Sequence, residues 1–170
     1  MLIKLNIAKA YDKLRWEYLQ EMLKDFGFCR EWIEWVMGLV SSPFLSILLN
    51  GSPTRVFSPS RGIRQGDPLS SFLFILVAEG LSRLIHSQAG LGRIRGLSFC
   101  EGMEKQTHQQ FVEDTMLMGH PSFQEVRSFK SCVAAFAKAS GLEVSPEKSQ
   151  VFFFNTLLIT QRNIGRILGF

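Results

Sequence analysis

Residues 110–118, QFVEDTMLM, place two adjacent acidic residues between two apolar stretches, and no other pattern in the chain constrains the fold as strongly. Short apolar runs bounded by turn residues predict β-strands, so the segment predicts a hairpin with Glu113 and Asp114 at its turn. Neighbouring carboxylates repel each other unless a bound divalent cation such as Mg²⁺ compensates them. An acidic pair is also ordinary solvated turn chemistry, and the segment alone leaves both interpretations open.

Two further segments carry recognisable chemistry. Residues 2–7, LIKLNI, predict a buried strand, and AKAYD follows it at 8–12. Residues 61–70, RGIRQGDPLS, predict a loop that opens a long apolar helix. The loop's glycines permit close backbone approach to a ligand, and its two arginines attract phosphate. On its own, this loop also fits a solvated basic turn before a helix.

In this order the three segments resemble motifs A, B and C of reverse transcriptases, and the likeness is greatest to the LINE-type non-LTR retroelement enzymes of plants. There, motif A reads roughly L-D-I-x-K-A-Y-D, motif B reads R-G-x-R-Q-G-D-P-L-S-P, and motif C reads F-A-D-D-T. Ser140-Gly141-Leu142, followed by Lys148-Ser149, is similar to motif D, and Ser145 stands where that motif has asparagine.

The resemblance implies an α+β, polymerase palm-like fold with a mainly antiparallel sheet and helices packed on one face. It implies one domain over residues 1–170, and we expect a palm that lacks most of the fingers and the thumb. It further implies RNA-directed DNA polymerase ancestry, Mg²⁺ as the cofactor, and an RNA template and RNA–DNA hybrid as partners.

The family's three metal-binding aspartates correspond to Asn6 in motif A and to Glu113 and Asp114 in motif C. Asn6 offers an oxygen without negative charge, and the extra methylene of Glu113 displaces its oxygens by about 1.5 Å. Glu113 and Asp114 remain candidate metal ligands with weakened or lost binding. Because a misplacement near 1 Å can cost on the order of 10²-fold in rate, we expect a domain inactive as a polymerase.

The resemblance also implies nucleotide or template contacts for Tyr11, Arg61, Arg64, Gln65, Gly66, Phe111 and Lys148. Tyr11 would support the incoming sugar, and Phe111 would lie beside the primer terminus. Gln65 and Gly66 would line the pocket for template and nucleotide. Each position also has a plain packing role available.

Composition is compatible with this interpretation. The 46% apolar content can form a buried core, and a net charge of +4 with a pI of about 9.1 suits a polyanionic partner. No apolar run reaches about 18 residues, so we expect no membrane partner. Cys29, Cys100 and Cys132 lie far apart, which predicts free thiols without a disulfide or zinc site. The oligomeric state stays open.

Met1 is followed at once by the motif A strand, so we expect neither a signal peptide nor a presequence. An intracellular location is expected, and a mitochondrial one only if the gene is organelle-encoded or import uses no cleaved signal. Two alternatives to an inactive reverse-transcriptase domain remain open. One is a maturase-like module that binds RNA or DNA without catalysis, and the other is a relic without function.

Local patterns add three expectations about secondary structure. Asp12 is predicted to cap the helix over 16–26. A second helix, from about residue 31, is predicted to bury Trp35 and Leu39. Residues 44–57 predict two strands joined by an Asn-Gly turn.

Overall fold

The protein is described by a computed structural model that covers residues 1–100 and 102–169. Helices and short strands are interspersed along the chain. In chain order they are β1 (Leu2–Ala8), α1 (Ala10–Lys13), α2 (Trp16–Asp25), α3 (Arg30–Ser41), β2 (Leu48–Leu49), β3 (Ser52–Pro53), α4 (Pro68–Gly90), β4 (His108–Phe111), β5 (Asp114–Met118), α5 (Phe123–Ser140), β6 (Glu143–Val144), a 3₁₀ turn (Pro146–Lys148), β7 (Gln150–Phe152) and α6 (Leu158–Leu168).

Strand β1 is the centre of a five-stranded sheet in which the pairings are antiparallel. β5 pairs along one edge of β1, and β4 continues the sheet beyond β5. β6 and β7 share the other edge of β1, with β7 beside its beginning and β6 beside its end. β1 therefore holds together three strands that all come from the second half of the chain.

Alternation along β1 decides which face of the sheet is covered. Ile3, Leu5 and Ile7 are buried in the core, while the intervening Lys4 and Asn6 are only partly buried. Because successive strand residues point to opposite faces, the helices pack on the isoleucine and leucine side. The predicted α+β fold, an antiparallel sheet with helices packed on it, is confirmed.

The two long core helices begin with side-chain caps. Asp67 accepts a hydrogen bond from the backbone N–H of Leu69 at 2.8 Å, and Pro68 occupies the first turn of α4. Ser122 accepts from the N–H of Glu125 at the start of α5, which ends at Gly141 in the left-handed region. α4 and α5 pack against each other behind the sheet.

The length and apolar composition of helix α4 are relevant to the expectation that the protein has no membrane partner. Among residues 1–100 and 102–169, it is the one helix long and apolar enough to cross a membrane by length and composition. Half of that stretch is buried inside the protein, and Leu73, Phe74 and Val77 belong to the core. Packing against the sheet and α5 accounts for this buried half, whereas Phe72 and Ile75 of the same helix are 67% and 64% exposed.

The predicted cap at Asp12 is wrong. Lys9 adopts a left-handed conformation (φ 49°) and precedes the four-residue helix α1, so Asp12 lies inside that helix with its side chain exposed. Helix α2 then begins at Trp16 after an extended Arg15 that supplies no side-chain cap. The chain turns earlier than the sequence pattern indicates.

The prediction for α3 is wrong in part. The helix forms, but Trp35 and Leu39 are 71% and 65% exposed, and its buried residues are Ile33 and Val36. A narrow stripe at three-residue spacing suffices to pack α3 against α2. Residues 44–57 do form an antiparallel hairpin with Asn50 and Gly51 at positive φ, although its regular strands are only two residues long.

Candidate functional site

Motifs A and C meet at the edge between β1 and β5. Asn6 is the register partner of Asp114, and the N–H of Ile7 donates to the carbonyl of Glu113 at 2.9 Å. The hairpin differs in one detail from the prediction. Its turn is formed by Val112 and Glu113, and Asp114 is the first residue of β5. Pairing of Asp114 with Phe111 across the hairpin extends the strand by that residue.

The carboxylate of Asp114 is occupied at both oxygens. Asn6 Nδ2 donates to Oδ1 at 3.0 Å, and Lys4 Nζ lies 3.0 Å from Oδ2. The hydrogen bond from Asn6, followed by the contact with Lys4, lowers the pKa of Asp114 below its ordinary value. Asp114 is therefore held ionised by groups of the protein itself.

Lys4 is the site residue that sequence reasoning missed. It precedes Asn6 by two positions on β1, so both side chains point to the sheet face that the helices leave open. Alternation alone could have placed Lys4 beside Asn6. Its contact with Asp114 requires the register between β1 and β5, which the sequence does not state.

A cleft of about 320 Å³, which we call the palm cleft, collects residues from all four motifs. Asn6 comes from motif A, Gln65 from motif B, Glu113 from motif C and Lys148 from motif D. The remaining wall residues are Ile7, Ala8, Lys9, Ala10 and Ser145. The structure thus brings four of the sequence-predicted site residues to one cavity.

Backbone hydrogen bonds hold motif D against motif A. The N–H of Ser145 donates to the carbonyl of Asn6 at 2.8 Å, and the N–H of Asn6 donates to Ser149 Oγ at 3.2 Å. Ser149 Oγ in turn donates to the carbonyl of Ser145 at 2.7 Å. These bonds position the 3₁₀ turn that carries Lys148 beside the palm cleft.

The motif B loop packs on motif A. The N–H of Gly62 donates to the carbonyl of Leu14, and that of Ile63 donates to Tyr11, each at 2.7 Å. A Cβ on Gly62 would lie 2.7 Å from the carbonyl oxygen of Asp12, at a φ of +87°. This glycine is needed for contact within the chain, whereas Gly66 (φ +88°) has open space around its Cα.

Arg61 and Arg64 lie outside the palm cleft. Both are exposed and line a neighbouring cavity of about 280 Å³, which shares Gln65 with the palm cleft. Among the described residues, neither arginine has a carboxylate within 4.0 Å. Their guanidinium groups are free to contact an anionic ligand.

The two aromatic candidates are placed differently. Tyr11 is partly buried, and its ring stacks on Phe74 of α4 with centroids 5.2 Å apart. Phe111 is 80% exposed on β4, directly across the hairpin from Asp114. Tyr11 thus has a packing partner, whereas Phe111 offers its ring to solvent beside the site.

The side chains at this edge of the sheet are a poor match for the divalent metals that the resemblance implies. Within residues 1–100 and 102–169, no group of three or more His, Cys, Asp or Glu side chains is arranged to hold a metal ion. Asn6 directs its amide nitrogen at Asp114, and an ammonium group covers the other oxygen. These residues do not fit a two-metal site, which requires several carboxylates facing the ions.

An antiparallel sheet with helices behind it, and a carboxylate-bearing hairpin against its central strand, define a palm-type domain. The chain belongs to the reverse transcriptase (RNA-dependent DNA polymerase) family, whose model matches residues 1–170. The resemblance drawn from motifs A to D is thereby confirmed.

Individual relatives agree with this assignment. An uncharacterised mitochondrial protein of Arabidopsis thaliana is 42% identical over 72 residues, 42% of this chain and 59% of that protein. The retrovirus-related Pol polyprotein from the type-2 retrotransposable element R2DM of Drosophila melanogaster is 33% identical over 86 residues, 51% of this chain. The match spans only 8% of that polyprotein.

A solved structure shows the same fold. Apo telomerase from Candida tropicalis, truncated from its C-terminal domain, superposes with a TM-score of 0.67 at 17% identity. The match covers 92% of this chain and 31% of the telomerase chain. At this identity the likeness establishes the fold alone.

Proposed function

We propose that this protein is a reverse-transcriptase palm, one domain over residues 1–170, that does not polymerise DNA. The observation that carries the proposal is the occupied carboxylate of Asp114, held by Asn6 on one side and Lys4 on the other. In-line transfer to a primer hydroxyl needs two divalent ions about 3.5–4 Å apart. Losing one preorganised electrostatic stabiliser costs on the order of 10²–10³ in rate.

The charge deficit follows from the residue types. Asn6 adds a dipole where a carboxylate would add a full negative charge, and the ammonium of Lys4 opposes the approach of a second cation. Glu113 retains its charge but lies exposed on the turn with one methylene more than aspartate. An ion at Asp114, whose side chain is 39% exposed, would have to compete with both of its protein partners for the carboxylate oxygens.

Primer extension on an RNA template tests the proposal. The unmodified chain, with Mg²⁺ or Mn²⁺, is compared with the variant that carries Asn6→Asp and Glu113→Asp, each with and without a supplied fingers segment. We expect no extension by the unmodified chain and at most a trace with Mn²⁺. Robust synthesis by the unmodified chain would overturn the proposal.

Metal binding gives a readout that does not depend on turnover. Mn²⁺ bound to the protein is measured by the loss of its free electron paramagnetic resonance signal. We expect no saturable binding by the unmodified chain and recovery of binding in the double variant. Saturable binding of Mn²⁺ by the unmodified chain, abolished by Asp114→Asn, would contradict the proposal that Asn6 and Lys4 keep metal ions from the Asp114 carboxylate.

A second function, binding of RNA or an RNA–DNA hybrid without catalysis, is favoured by a separate observation. Arg61, Arg64 and Phe111 are exposed around the site, and the arginines have no ion-pair partner among the described residues. Guanidinium groups bind phosphates, and aromatic rings stack on bases. Saturable, salt-dependent binding of a hybrid is the expected result, and its absence would favour a relic without function.

The Arabidopsis relative is a mitochondrial protein, which supports a mitochondrial location for this chain as well. Subcellular fractionation with an antibody against residues of the exposed 44–57 hairpin tests this. Recovery of the protein in mitochondria is the expected result, and its recovery in another fraction alone would rule that location out.

A further inference from the structure

Four large apolar side chains are exposed at the start of helix α6 and in the turn before it. Their exposed fractions lie between 63% and 75%, and they are Phe154, Leu157, Leu158 and Ile159. All four fall within six consecutive residues, so they form one continuous stretch of apolar surface. Contiguous exposed apolar side chains mark a surface that another molecule covers, either a protein or a membrane.

The start of α6 lacks the residues that normally begin a helix. Leu157 occupies the N-cap position, where its side chain can accept no hydrogen bond from the backbone N–H groups of the first turn. Leu158 and Ile159 follow, and the first turn contains no acidic residue. Leucine is among the least favoured N-cap residues, so this position forgoes stability that Ser or Asp would provide. The sequence of this turn therefore fits a role in binding better than a role in the stability of the helix.

Positive charge lies on the same exposed face of α6. Leu158, Arg162 and Arg166 recur at four-residue spacing, so their side chains share one side of the helix. The fully buried Ile164 lies on the opposite side. Both arginines are exposed, and neither has a carboxylate within 4.0 Å among the described residues. Residues 148–170 contain three basic residues and no Asp or Glu, so the face is apolar at one end and cationic along the rest.

This combination favours an anionic lipid surface over other partners. Guanidinium groups bind phosphates, which nucleic acids and lipid headgroups both supply, but aliphatic side chains do not stack on bases as aromatic rings do. Three of the four apolar residues are leucine or isoleucine. A second copy of the chain paired through the same face would bring the arginines of both copies together, and like charges repel. Helices that carry Leu or Phe beside Lys or Arg are typical of binding to the interface of anionic membranes.

We propose that α6 attaches the protein to an anionic membrane surface. The four apolar residues enter the boundary between headgroups and acyl chains, and Arg162 and Arg166 bind the phosphates of acidic lipids. The proposal departs from the expectation of no membrane partner, which rests on the lack of an apolar run of about 18 residues, because a peripheral attachment needs no such run. None of these six residues lines the palm cleft or the neighbouring cavity, so the inference is independent of the proposed function.

Flotation of vesicles through a density gradient tests the inference with the full chain, because bound protein rises and aggregated protein sinks. The vesicles consist of phosphatidylcholine alone, or of phosphatidylcholine and phosphatidylglycerol in equal parts. We expect saturable binding to the mixed vesicles and little binding to the neutral ones. Binding to the mixed vesicles should weaken as the salt concentration rises, because salt screens the attraction between arginine and lipid phosphate.

Leu157→Ser separates membrane binding from folding. Serine is a favoured N-cap residue, so the variant should be at least as stable in urea as the unmodified chain. Its affinity for the mixed vesicles should nevertheless fall roughly tenfold, because one leucine no longer leaves water. Arg162→Gln and Arg166→Gln should each weaken that affinity roughly fivefold. Leu48→Ser and Arg55→Gln, the same changes on exposed residues of the hairpin that contains β2 and β3, should leave it unchanged.

Four results would overturn the inference. They are no binding to the mixed vesicles, equal binding to the neutral ones, full affinity in Leu157→Ser or in the two arginine variants, and an equal loss in the hairpin controls. An RNA–DNA hybrid is tested in parallel. If Arg162→Gln and Arg166→Gln weaken binding of the hybrid and leave vesicle binding unchanged, the surface belongs to a nucleic acid instead.

Discussion

Asn6 and Asp114 are 108 positions apart in sequence and face each other across two antiparallel strands, joined by a 3.0 Å hydrogen bond between Asn6 Nδ2 and Asp114 Oδ1. The bond links motif A to motif C through an amide and a carboxylate. Because the two residues are register partners, an aspartate substituted for Asn6 would stand directly beside Asp114, and two like charges would meet.

Asn6→Asp is therefore expected to destabilise the fold in EDTA, by about 1–2 kcal/mol, through the lost hydrogen bond and the new repulsion. Mn²⁺ should recover part of this loss in the variant and leave the unmodified chain unchanged. The free energy of unfolding is measured with urea under both conditions. Asn163→Asp in α6 is the matched control, and an equal response to Mn²⁺ there would contradict the prediction.

The acid stability of the site depends on Asp114. The pKa of Asp114 is lowered in the folded state below its ordinary value of 3.8. Its contribution to the free energy of unfolding is therefore present above pH 3.8 and is lost as the pH falls through the lowered pKa of the folded state. Asn6→Ala and Lys4→Met are each expected to raise the pKa of Asp114, because each removes a group whose side-chain hydrogen bond lowers it. Carboxyl ¹³C titration by NMR measures both shifts.

Glu143 provides the internal reference for that titration. Lys13 lowers the pKa of Glu143 through a side-chain hydrogen bond, and neither Asn6 nor Lys4 is among the causes of this shift. The titration of Glu143 should be the same in the unmodified chain, in Asn6→Ala and in Lys4→Met. An unchanged pKa of Asp114 in either variant would contradict the cause assigned to the residue that was replaced.

Thr115 places a hydroxyl in the core without a partner. The residue is 1% exposed, and its Oγ1 has no hydrogen-bond partner among the described residues. Thr115→Val should stabilise the fold by about 1 kcal/mol, because it removes an unsatisfied polar group at nearly the same volume. Thr115→Ser, which keeps the hydroxyl and removes the methyl, should destabilise it. Thermal unfolding that places the valine variant below the unmodified chain would refute the idea.

Gly62 and Gly66 form a matched pair in the motif B loop, with nearly equal φ angles of +87° and +88°. Gly62→Ala should cost about 3–4 kcal/mol, because its Cβ would collide with backbone carbonyls of α1. Gly66→Ala should cost only about 1–2 kcal/mol, the conformational penalty alone. Urea unfolding of both variants measures the difference, and equal losses would mean that the collision is relieved by movement of the loop.

Arg64→Glu tests the motif B loop as a nucleic-acid contact. Hybrid affinity should fall roughly tenfold at low salt, and the slope of log affinity against log salt should become shallower by about one. Arg162→Glu, the same charge reversal on an exposed residue of α6, is the control. Unchanged affinity in Arg64→Glu would show that this loop is a structural turn.

Much of the arrangement was predictable from the resemblance of the motifs to those of reverse transcriptases, which implies the pairing of β1 with the acidic hairpin and the α+β class. The helix after Pro68 was predictable from the sequence itself, because an apolar stripe at helical spacing follows the proline. The pairing of Asp114 with Lys4 was not predictable in this way, because a cross-strand contact between side chains depends on register and rotamer. Lys4 also lies one residue before the first position of motif A, so comparison of the motif residues does not reach it.

The errors have a different origin. Asp12 is a residue type favoured at helix N-caps, yet the left-handed Lys9 precedes α1 three residues earlier. Trp35 has the spacing of a core residue, but periodicity identifies an apolar face without saying what covers it. In both cases the local sequence pattern allows a structure, and contacts with residues elsewhere in the chain determine whether that structure forms.

The central position of β1 has a consequence for the order of events during synthesis. β1 leaves the ribosome well before its partners β5, β6 and β7, which begin only at Asp114, Glu143 and Gln150. Until then Ile3, Leu5 and Ile7 have no sheet to join, and such non-local pairing folds slowly and exposes nascent chains to aggregation. A nascent chain stalled before residue 114 should therefore remain bound to chaperones, and release should coincide with the emergence of β5.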